Sequence, residues 1–493
     1  MTNPISSSQA RTALTWSFAD RYASLTVNMM SSMVIARLLT PAEIGLFSVA
    51  LAALILATTL RDLGAGNYLV QEQEITTERV RATWTVQLAV GAVLALITAA
   101  LSFAVAKFYG EPKLASLVQI IALNYLFNPF GSLTYSWLMR EMNYEAVAKM
   151  RLASTFIGAL VAIGLAWQGF GALGLAWGNL AAILMNGLMS MLYRPKWFPL
   201  RPGIAEIRRV LSFGTKLTST SIMTSISNAA PDFILGHTLG LAAAGYYSRA
   251  NGLVQLVYRL FMDALYPVAL SMFSQEVRHS REFSTQFIKS LQYLTVICWT
   301  LFLAIGLMAY PLIHLLYGSQ WGASVPIVRW LAIAAMFSIH IPLCTAALVA
   351  SGNVSAMLPV TFGSGVAVLI AIIAGSRYSL ESVGLLMIFA SAVIGARWLI
   401  AAQRAVGFRW RDLARAIYPS VATAVLSNTS VLAIFVYFQQ PKEYIVLPLI
   451  SSFILGGIGF YFTVKWVQHP IAMDIATGLQ QLRRKFHPTP PIK

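Results

Sequence analysis

Ionisable and amide side chains stand inside long apolar stretches at Asp20, Arg21, Asn28, Lys216, Asn228, Asp232, Arg249, Arg259 and Asp263. A charge at the centre of a membrane helix costs roughly 2.5 to 3.5 kcal/mol on insertion scales, so it turns towards a partner, a bundle interior or water. Arg21, Ser24, Asn28 and Ser31 follow one another at three- and four-residue spacing and form one polar helix face. Lys216, Thr220, Thr224, Ser227, Asn228 and Asp232 make a second stripe, ending beside Pro231. Hydroxyls alone would serve close helix packing; Asn28 and Lys216 favour a wet cleft. Arg259 and Asp263, four residues apart, can pair on one helix, whereas Arg249 has no acid within a turn. The cations Arg21, Lys216, Arg249 and Arg259, with Asn28 and Asn228, are therefore the candidate substrate contacts. The chemistry they suggest is capture of an anion, since the planar guanidinium fork matches phosphate. Asp20, Asp232 and Asp263 either carry a coupling ion or neutralise a neighbouring base.

The elements that position these residues are set by composition. Of 493 residues, 57% are hydrophobic and 11% charged, against roughly 25% charged in soluble domains; mean hydropathy is +0.68. A soluble enzyme is excluded. The chain divides into about fourteen apolar runs of membrane-spanning length. They are Leu14 to Leu38, Glu43 to Gly64, Thr83 to Ala106, Leu114 to Leu138, Ala146 to Trp167, Ala172 to Tyr193, Phe213 to Leu239, Ala242 to Phe273, Ile288 to Leu316, Val325 to Ala350, Met357 to Gly375, Val383 to Arg404, Ile417 to Phe438 and Ile445 to Trp466. Basic residues cluster in alternate links, including Arg140, Lys149 and Arg151, the segment Arg194 to Arg209, and Arg404 to Arg415. The intervening links hold only Lys107, Lys113, Arg377 and Lys442. By the positive-inside rule both termini are cytoplasmic.

An internal repeat accompanies this pattern. Shifting the sequence by 200 residues superposes Leu39, Ala42, Gly45, Ser48 and Ala50 on Leu239, Ala242, Gly245, Ser248 and Ala250, and Asn28 on Asn228. Both segments fall between the first and second helices of a six-helix half. The fold expected is an all-α integral membrane protein with two pseudo-symmetric six-helix bundles and two added C-terminal helices. Its parts are an N-terminal bundle (1–193), a basic cytoplasmic linker (194–212), a second bundle (213–404), a basic cytoplasmic loop (405–416), two further helices (417–466) and a cytoplasmic tail (467–493).

Other chemistries find little support. Cys298 and Cys344 lack the spacing of a disulfide framework or thiolate metal site, and the histidines do not cluster, so no metal is expected. No phosphate-loop, serine-elbow or HExxH motif occurs, so no catalytic residue is assigned and the chain does not read as an enzyme. The net charge of +17 arises from 35 basic and 18 acidic residues distributed by membrane topology, not from a nucleic-acid-binding surface. The first apolar run, carrying Asp20 and Arg21, reads as a retained helix rather than a secretory leader.

Several segments carry a resemblance. Ala36 to Phe47 (ARLLTPAEIGLF), Asp62 to Glu72 (DLGAGNYLVQE), Leu138 to Tyr144 (LMREMNY), Gly245 to Asn251 (GYYSRAN), Tyr266 to Ser271 (YPVALS) and Leu316 to Trp321 (LYGSQW) resemble the Wzx-type polysaccharide flippases. The likeness covers nearly all of the first 400 residues and is nearest the exopolysaccharide and colanic-acid exporter branch of the multidrug/oligosaccharidyl-lipid/polysaccharide exporter superfamily. It implies a bacterial inner-membrane protein that moves undecaprenyl-pyrophosphate-linked oligosaccharide from the cytoplasmic to the periplasmic leaflet by alternating access. It further implies that Arg21 and Arg249 lie where relatives place charge, that no cofactor beyond a proton or sodium gradient is involved, and that membrane lipid, a polysaccharide polymerase and a chain-length regulator are the partners. Two rivals stay open: a drug/cation antiporter of the same superfamily, which needs an acid-lined cavity, and a membrane glycosyltransferase or ligase, which needs a long external loop.

The orientation predicts that a cysteine placed at Arg201 is labelled by an impermeant maleimide only from the cytoplasmic side, and one at Glu111 only from the opposite side. The reverse pattern would refute it.

Overall fold

Hydrocarbon offers the backbone no hydrogen-bond partner, so a chain this apolar must satisfy its N–H and C=O groups internally. In a computed structural model, every regular element among the described residues is accordingly helical. The structure describes residues 7–62, 68–69, 72, 74–198, 201–278, 283–437, 446–473 and 477, without the side chains of 7–14, 17–18, 53–54, 56–62, 209, 211–221 and 263–264.

The helices are α1 (Ser7–Leu38), α2 (Pro41–Asp62), α3 (Thr77–Tyr109), α4 (Lys113–Phe127), α5 (Pro129–Arg140), α6 (Tyr144–Trp167), α7 (Ala172–Tyr193), α8 (Ile207–Thr238) and α9 (Leu241–Arg278). They continue as α10 (Phe283–Leu307), α11 (Ala309–Leu316), α12 (Ser324–Ser338), α13 (Ile341–Ala350), α14 (Met357–Ser376), α15 (Leu380–Val406), α16 (Trp410–Tyr437) and α17 (Val446–Trp466). Among the described residues, 10 helical segments are long and apolar enough to cross a membrane, and α4 with α5 makes up to 11. The chain is a multi-pass membrane protein. The helices α1, α2 and α8, which carry polar stripes or run beyond the described side chains, stand outside that count.

Two runs expected as single spans are divided. Leu114 to Leu138 bends by 47° between α4 and α5, where Pro129 at the first turn of α5 supplies no N–H to continue the ladder. A break at Met308 likewise separates α10 from α11, whereas α12 and α13, interrupted only at Ile339–His340, make one spanning segment, Ser324–Ala350, as expected. The short Thr40-Pro41-Ala42 link holds because it is a capping box. The Thr40 backbone N–H donates to Glu43 Oε2 at 2.9 Å, and the Glu43 N–H donates to Thr40 Oγ1 at 3.3 Å. At its far end α3 stops on Gly110, whose φ of 70° is a conformation that favours glycine.

Large apolar side chains point outward, with Leu96 72%, Phe103 67% and Phe453 78% exposed. In water such surfaces would drive aggregation; around a membrane-spanning helix they are the lipid-facing side.

The chain divides into two compact units, Met1–Ser248 and Arg249–Lys493, with the division inside α9. In the first unit α6 packs along α7 and α1, α4 lies on α3 and α7, and α8 crosses α2 and α3. Small residues allow the close approaches, as is usual where helices associate in lipid. A Cβ on Gly178 would sit 2.6 Å from the Ala162 Cβ, and one on Gly158 2.8 Å from the Ala182 Cβ. At the start of α2 and α9 the residues related by the 200-residue shift touch reciprocally. A Cβ on Gly45 would collide with the Leu241 carbonyl and one on Gly245 with the Pro41 carbonyl, while Ser48 Oγ donates to Ser248 Oγ at 3.0 Å.

In the second unit α10 packs on α16 and α12, α15 on α14 and α12, and α17 on α16. Beyond α17 the chain turns back, burying Ile471 with Val296 and Val464. The buried imidazole of His469 fixes that return. Its Nε2 lies 3.3 Å from Ser420 Oγ, and its Nδ1 accepts the Ile471 N–H at 3.3 Å. Burial lowers its pKa from the ordinary 6.5 to about 4, outweighing the opposing hydrogen bond with the Gln292 backbone. A neutral folded imidazole gives full stability above 6.5, lost progressively as pH falls towards about 4. Hydrogen exchange at Val467 to Met473 should thus accelerate over that interval, and in His469→Gln the acceleration should vanish.

Candidate functional site

The first unit encloses a polar cavity of 660 Å³, within the roughly 300 to 1,000 Å³ of small-ligand sites. Five stretches of helix supply its walls. Asn28 and Ser31 come from α1, Gln87 from α3, Asn128, Ser132, Tyr135 and Ser136 from the α4–α5 bend and α5, Arg151, Ser154 and Thr155 from α6, and Asn179 and Asn186 from α7. Each amide is solitary within an apolar stretch, and the packing turns them inward. The bend at Asn128 aims that side chain and Ser132 into the same space, while Gly158, Ala162, Gly178 and Ala182 keep the α6–α7 wall thin.

One ion pair borders the cavity. Arg151 Nη1 lies 3.1 Å from Asp20 Oδ2, its Nη2 donates to Tyr135 Oη at 2.6 Å, and Ser24 Oγ donates to Asp20 Oδ1 at 3.2 Å. Asp20 is buried, at 4% exposure, and among the described residues Arg151 is the one charged side chain lining the cavity. Ser132 Oγ donates to Gln87 Oε1 at 3.2 Å. The carboxamides of Asn28, Asn128 and Asn186 make no side-chain hydrogen bond among the described residues. A carboxamide offers two donors and one doubly accepting oxygen. Several of them facing one space suit a ligand dense in hydroxyl and amide groups, and carry no redox or nucleophilic chemistry.

The residues singled out from sequence distribute unevenly. Asn28 reaches the cavity, and Asp20 anchors its edge with Arg151. Arg21 is half-buried on α1, next to Asp20, and does not line the cavity. Asn228 and Arg259 are exposed on α8 and α9. The side chains of Lys216 and Asp263 lie outside the described residues, and with them the Arg259–Asp263 pairing. Asp232 Oδ1 is buried with no hydrogen-bond partner among the described residues, within electrostatic reach of Tyr109 and Tyr247. Arg249 is held between aromatics: its guanidinium carbon is 5.6 Å from the ring centroids of both Tyr317 and Trp321, a cation–π arrangement.

Arg151 corrects the sequence reading, which grouped it with loop charges beside Lys149. It belongs to the second turn of α6 and meets α1 through Asp20, while the exposed Lys149 pairs with Glu145 at 2.6 Å and reaches over the Trp16 ring. The cavity amides Gln87, Asn128, Asn179 and Asn186 went unnoticed, although Asn179 and Asn186, seven residues apart, share a helix face and that spacing could have found them; Gln87 and Asn128 are each the one amide their helix turns to the cavity. A second cavity, of 830 Å³ in the other unit, is walled largely by Phe302, Leu303, Leu307, Ile333, Leu432 and Phe435, with Arg329 and Glu381 also in its lining.

The profile of the family described as "Polysaccharide biosynthesis protein" matches residues 34–326. The chain belongs to this polysaccharide biosynthesis protein family. Among curated relatives, the succinoglycan biosynthesis transport protein ExoT of Rhizobium meliloti is 28% identical over 65% of this chain and 65% of its own length. The lipopolysaccharide biosynthesis protein WzxC of Escherichia coli is 21% identical over 65% of the chain and 66% of its own length. The matches thus span just under two thirds of these relatives. Among solved structures, lipid II flippase MurJ in an inward closed conformation superposes with a TM-score of 0.73 at 13% identity, over 91% of this chain and 98% of that one. An inward-facing multidrug resistance MATE family transporter gives 0.63 at 14% identity, over 78% and 95%. At these identities the likeness speaks to the fold alone, and this family member shares it.

The ion pair predicts a non-additive cycle. Arg151→Gln, leaving a buried carboxylate without its cation, should cost about 1 to 3 kcal/mol in unfolding of the detergent-solubilised protein. Asp20→Asn/Arg151→Gln should recover more than half of that loss; additive losses would show that the pair is not coupled.

Proposed function

We propose that this family member is a flippase for undecaprenyl-pyrophosphate-linked oligosaccharide, moving it from the cytoplasmic to the periplasmic leaflet of a bacterial inner membrane for polysaccharide assembly. The observation that carries this reading is the amide- and hydroxyl-lined cavity in a membrane-embedded unit. A saccharide entering it exchanges water for Asn28, Asn128, Asn179 and Asn186, whose donors and acceptors match hydroxyl groups, while the polyprenyl chain stays in hydrocarbon. The cavity supplies sugar contacts. Phosphate contacts fall to Arg21, Lys216, Arg249 and Arg259, with Arg151 bordering the cavity. The relatives named as a succinoglycan transport protein and a lipopolysaccharide biosynthesis protein support the substrate class, and the likeness to MurJ supports the architecture.

The transport cycle we infer is alternating access by two six-helix bundles in a chain of about fourteen spans with both termini cytoplasmic. In this orientation the α2–α9 crossing at Gly45, Gly245, Ser48 and Ser248 closes the periplasmic side, and its opening releases the sugar. Asp232, a buried carboxylate near that crossing, is the candidate for proton or sodium coupling; Asp20 already has Arg151 as its counter-charge. Handover to a polymerase and a chain-length regulator would follow release. A drug/cation antiporter is the second reading, favoured by the proximity of Asp20 to the cavity and opposed by the ion pair that neutralises it.

In proteoliposomes, leaflet crossing of undecaprenyl-pyrophosphate oligosaccharide, read with an external sugar-specific probe, should depend on the protein. It should stop when Ser48→Cys/Ser248→Cys is oxidised and resume on reduction; the native cysteines are both buried. Asp232→Asn should abolish any dependence on an imposed gradient. Failure of the lipid to cross under proton, sodium or zero gradient, while a lipophilic cation crosses, would establish the antiporter instead.

A further inference from the structure

The second unit has a cationic recess remote in sequence from the cavity. It occupies 540 Å³ between the α13–α14 turn and the last turns of α15, with Arg397 and Arg404 on one wall and Asn353, Pro359 and Val360 on the other. The two arginines are seven residues apart and so share a helix face, about 10 Å apart along the axis. Arg404 is exposed in the final turn, where it also offsets the helix dipole. Arg397 lies nine residues before the end of α15, about 13 Å from it at helical rise. Its guanidinium is laid across Gly363 of α14, where a Cβ would overlap it, and Nη2 donates to the Pro359 carbonyl at 2.9 Å. That bond uses one of five guanidinium donors. Among the described residues neither arginine lies in an ion pair, and no carboxylate lines the recess.

A cation at this depth with unspent donors calls for an anion that can arrive through lipid. The flank of the recess is lipid-facing, with Leu358 52%, Phe362 60% and Ile400 40% exposed. We propose that this recess binds the headgroup of an anionic glycerophospholipid from the cytoplasmic leaflet, its phosphate held by the Arg397 and Arg404 forks and its acyl chains against α14 and α15. Basic pockets between helices on the cytoplasmic side take such headgroups. The recess has room for a headgroup and its glycerol, and its apolar floor of Leu348, Val360 and Ala401 does not match a saccharide.

The test titrates the delipidated full-length protein in mild detergent with phosphatidylglycerol and with phosphatidylcholine, counting bound lipid by native mass spectrometry. One saturable phosphatidylglycerol adduct is expected, with phosphatidylcholine binding at least tenfold more weakly. Arg397→Ala should weaken phosphatidylglycerol about fivefold, and Arg397→Ala/Arg404→Ala roughly twentyfold. Arg409→Ala/Arg411→Ala, removing two exposed charges beside the same helix end, should change it less than twofold. Gly363→Ala keeps both cations and a sound helix while displacing the Arg397 guanidinium, and should weaken binding several-fold even if the double variant fails to fold. Equal losses in the two double variants would reduce the effect to diffuse surface charge and overturn the proposal. So would equal binding of phosphatidylcholine, displacement by millimolar inorganic phosphate, or a preference for undecaprenyl pyrophosphate lost with Arg397.

Discussion

A carboxylate buried on an apolar helix stays charged only if a cation meets it, and the meeting of Asp20 with Arg151 fixes the geometry around it. The pair joins α1 to α6, and the second Arg151 nitrogen ties Tyr135 of α5 into the same cluster. Three helices are thereby held at the edge of one cavity. Breaking such a pair from one side leaves an uncompensated charge, which costs more than removing both partners. The polarity of α1 follows from the same constraint: Ser24 completes the carboxylate's hydrogen bonding, and Asn28, two turns beyond Asp20, opens onto the cavity.

Lipid supplies no driving force to separate apolar from apolar, so the remaining order comes from close packing and from polar groups without water. Gly158 and Gly178 bring α6 and α7 nearly into backbone contact, and that narrow wall lets Asn179 and Asn186 face the same space as Thr155 and Arg151. Gly45 and Gly245 do the same for α2 and α9. The two crossings differ in consequence. The first has small side chains on both helices and no hydrogen bond between side chains across it. The second places two hydroxyls, Ser48 and Ser248, where separation exposes groups that water can satisfy, which suits a contact that opens and closes.

Much of this was legible beforehand. Apolar runs marked the helices because span length is dictated by bilayer thickness, but the run Leu114 to Leu138 was read straight through the bend at Pro129, because hydropathy alone does not register a break in the hydrogen-bond ladder. The 200-residue shift named the residues that touch at the α2–α9 crossing. Asn28 was visible through its periodic polar face. Arg151 was counted with the helix-end charges because its partner Asp20 lies 131 positions away in the sequence, and no local spacing announces that pair. The clamp of Tyr317 and Trp321 on Arg249 joins residues far apart in sequence, and nothing local announces it. Asn179 and Asn186 share a helix face by their seven-residue spacing, but they become a site with Gln87 and Asn128 only when tertiary packing gathers them.

The resulting picture separates two tasks. Under the proposed function, amides in the first unit would address a polyhydroxyl head group and charge elsewhere would address phosphate, so recognition of sugar and of lipid anchor need not share residues. The central claim is that the sugar occupies the cavity. A photo-crosslinking amino acid at Asn179, in cells making lipid-linked oligosaccharide, tests it most directly. The account predicts an adduct carrying the sugar repeat, weakened by Asn128→Leu and Asn186→Leu together and absent from a lipid-facing position such as Phe103. Adducts with phospholipid alone at Asn179, or sugar captured equally at Phe103, would contradict it.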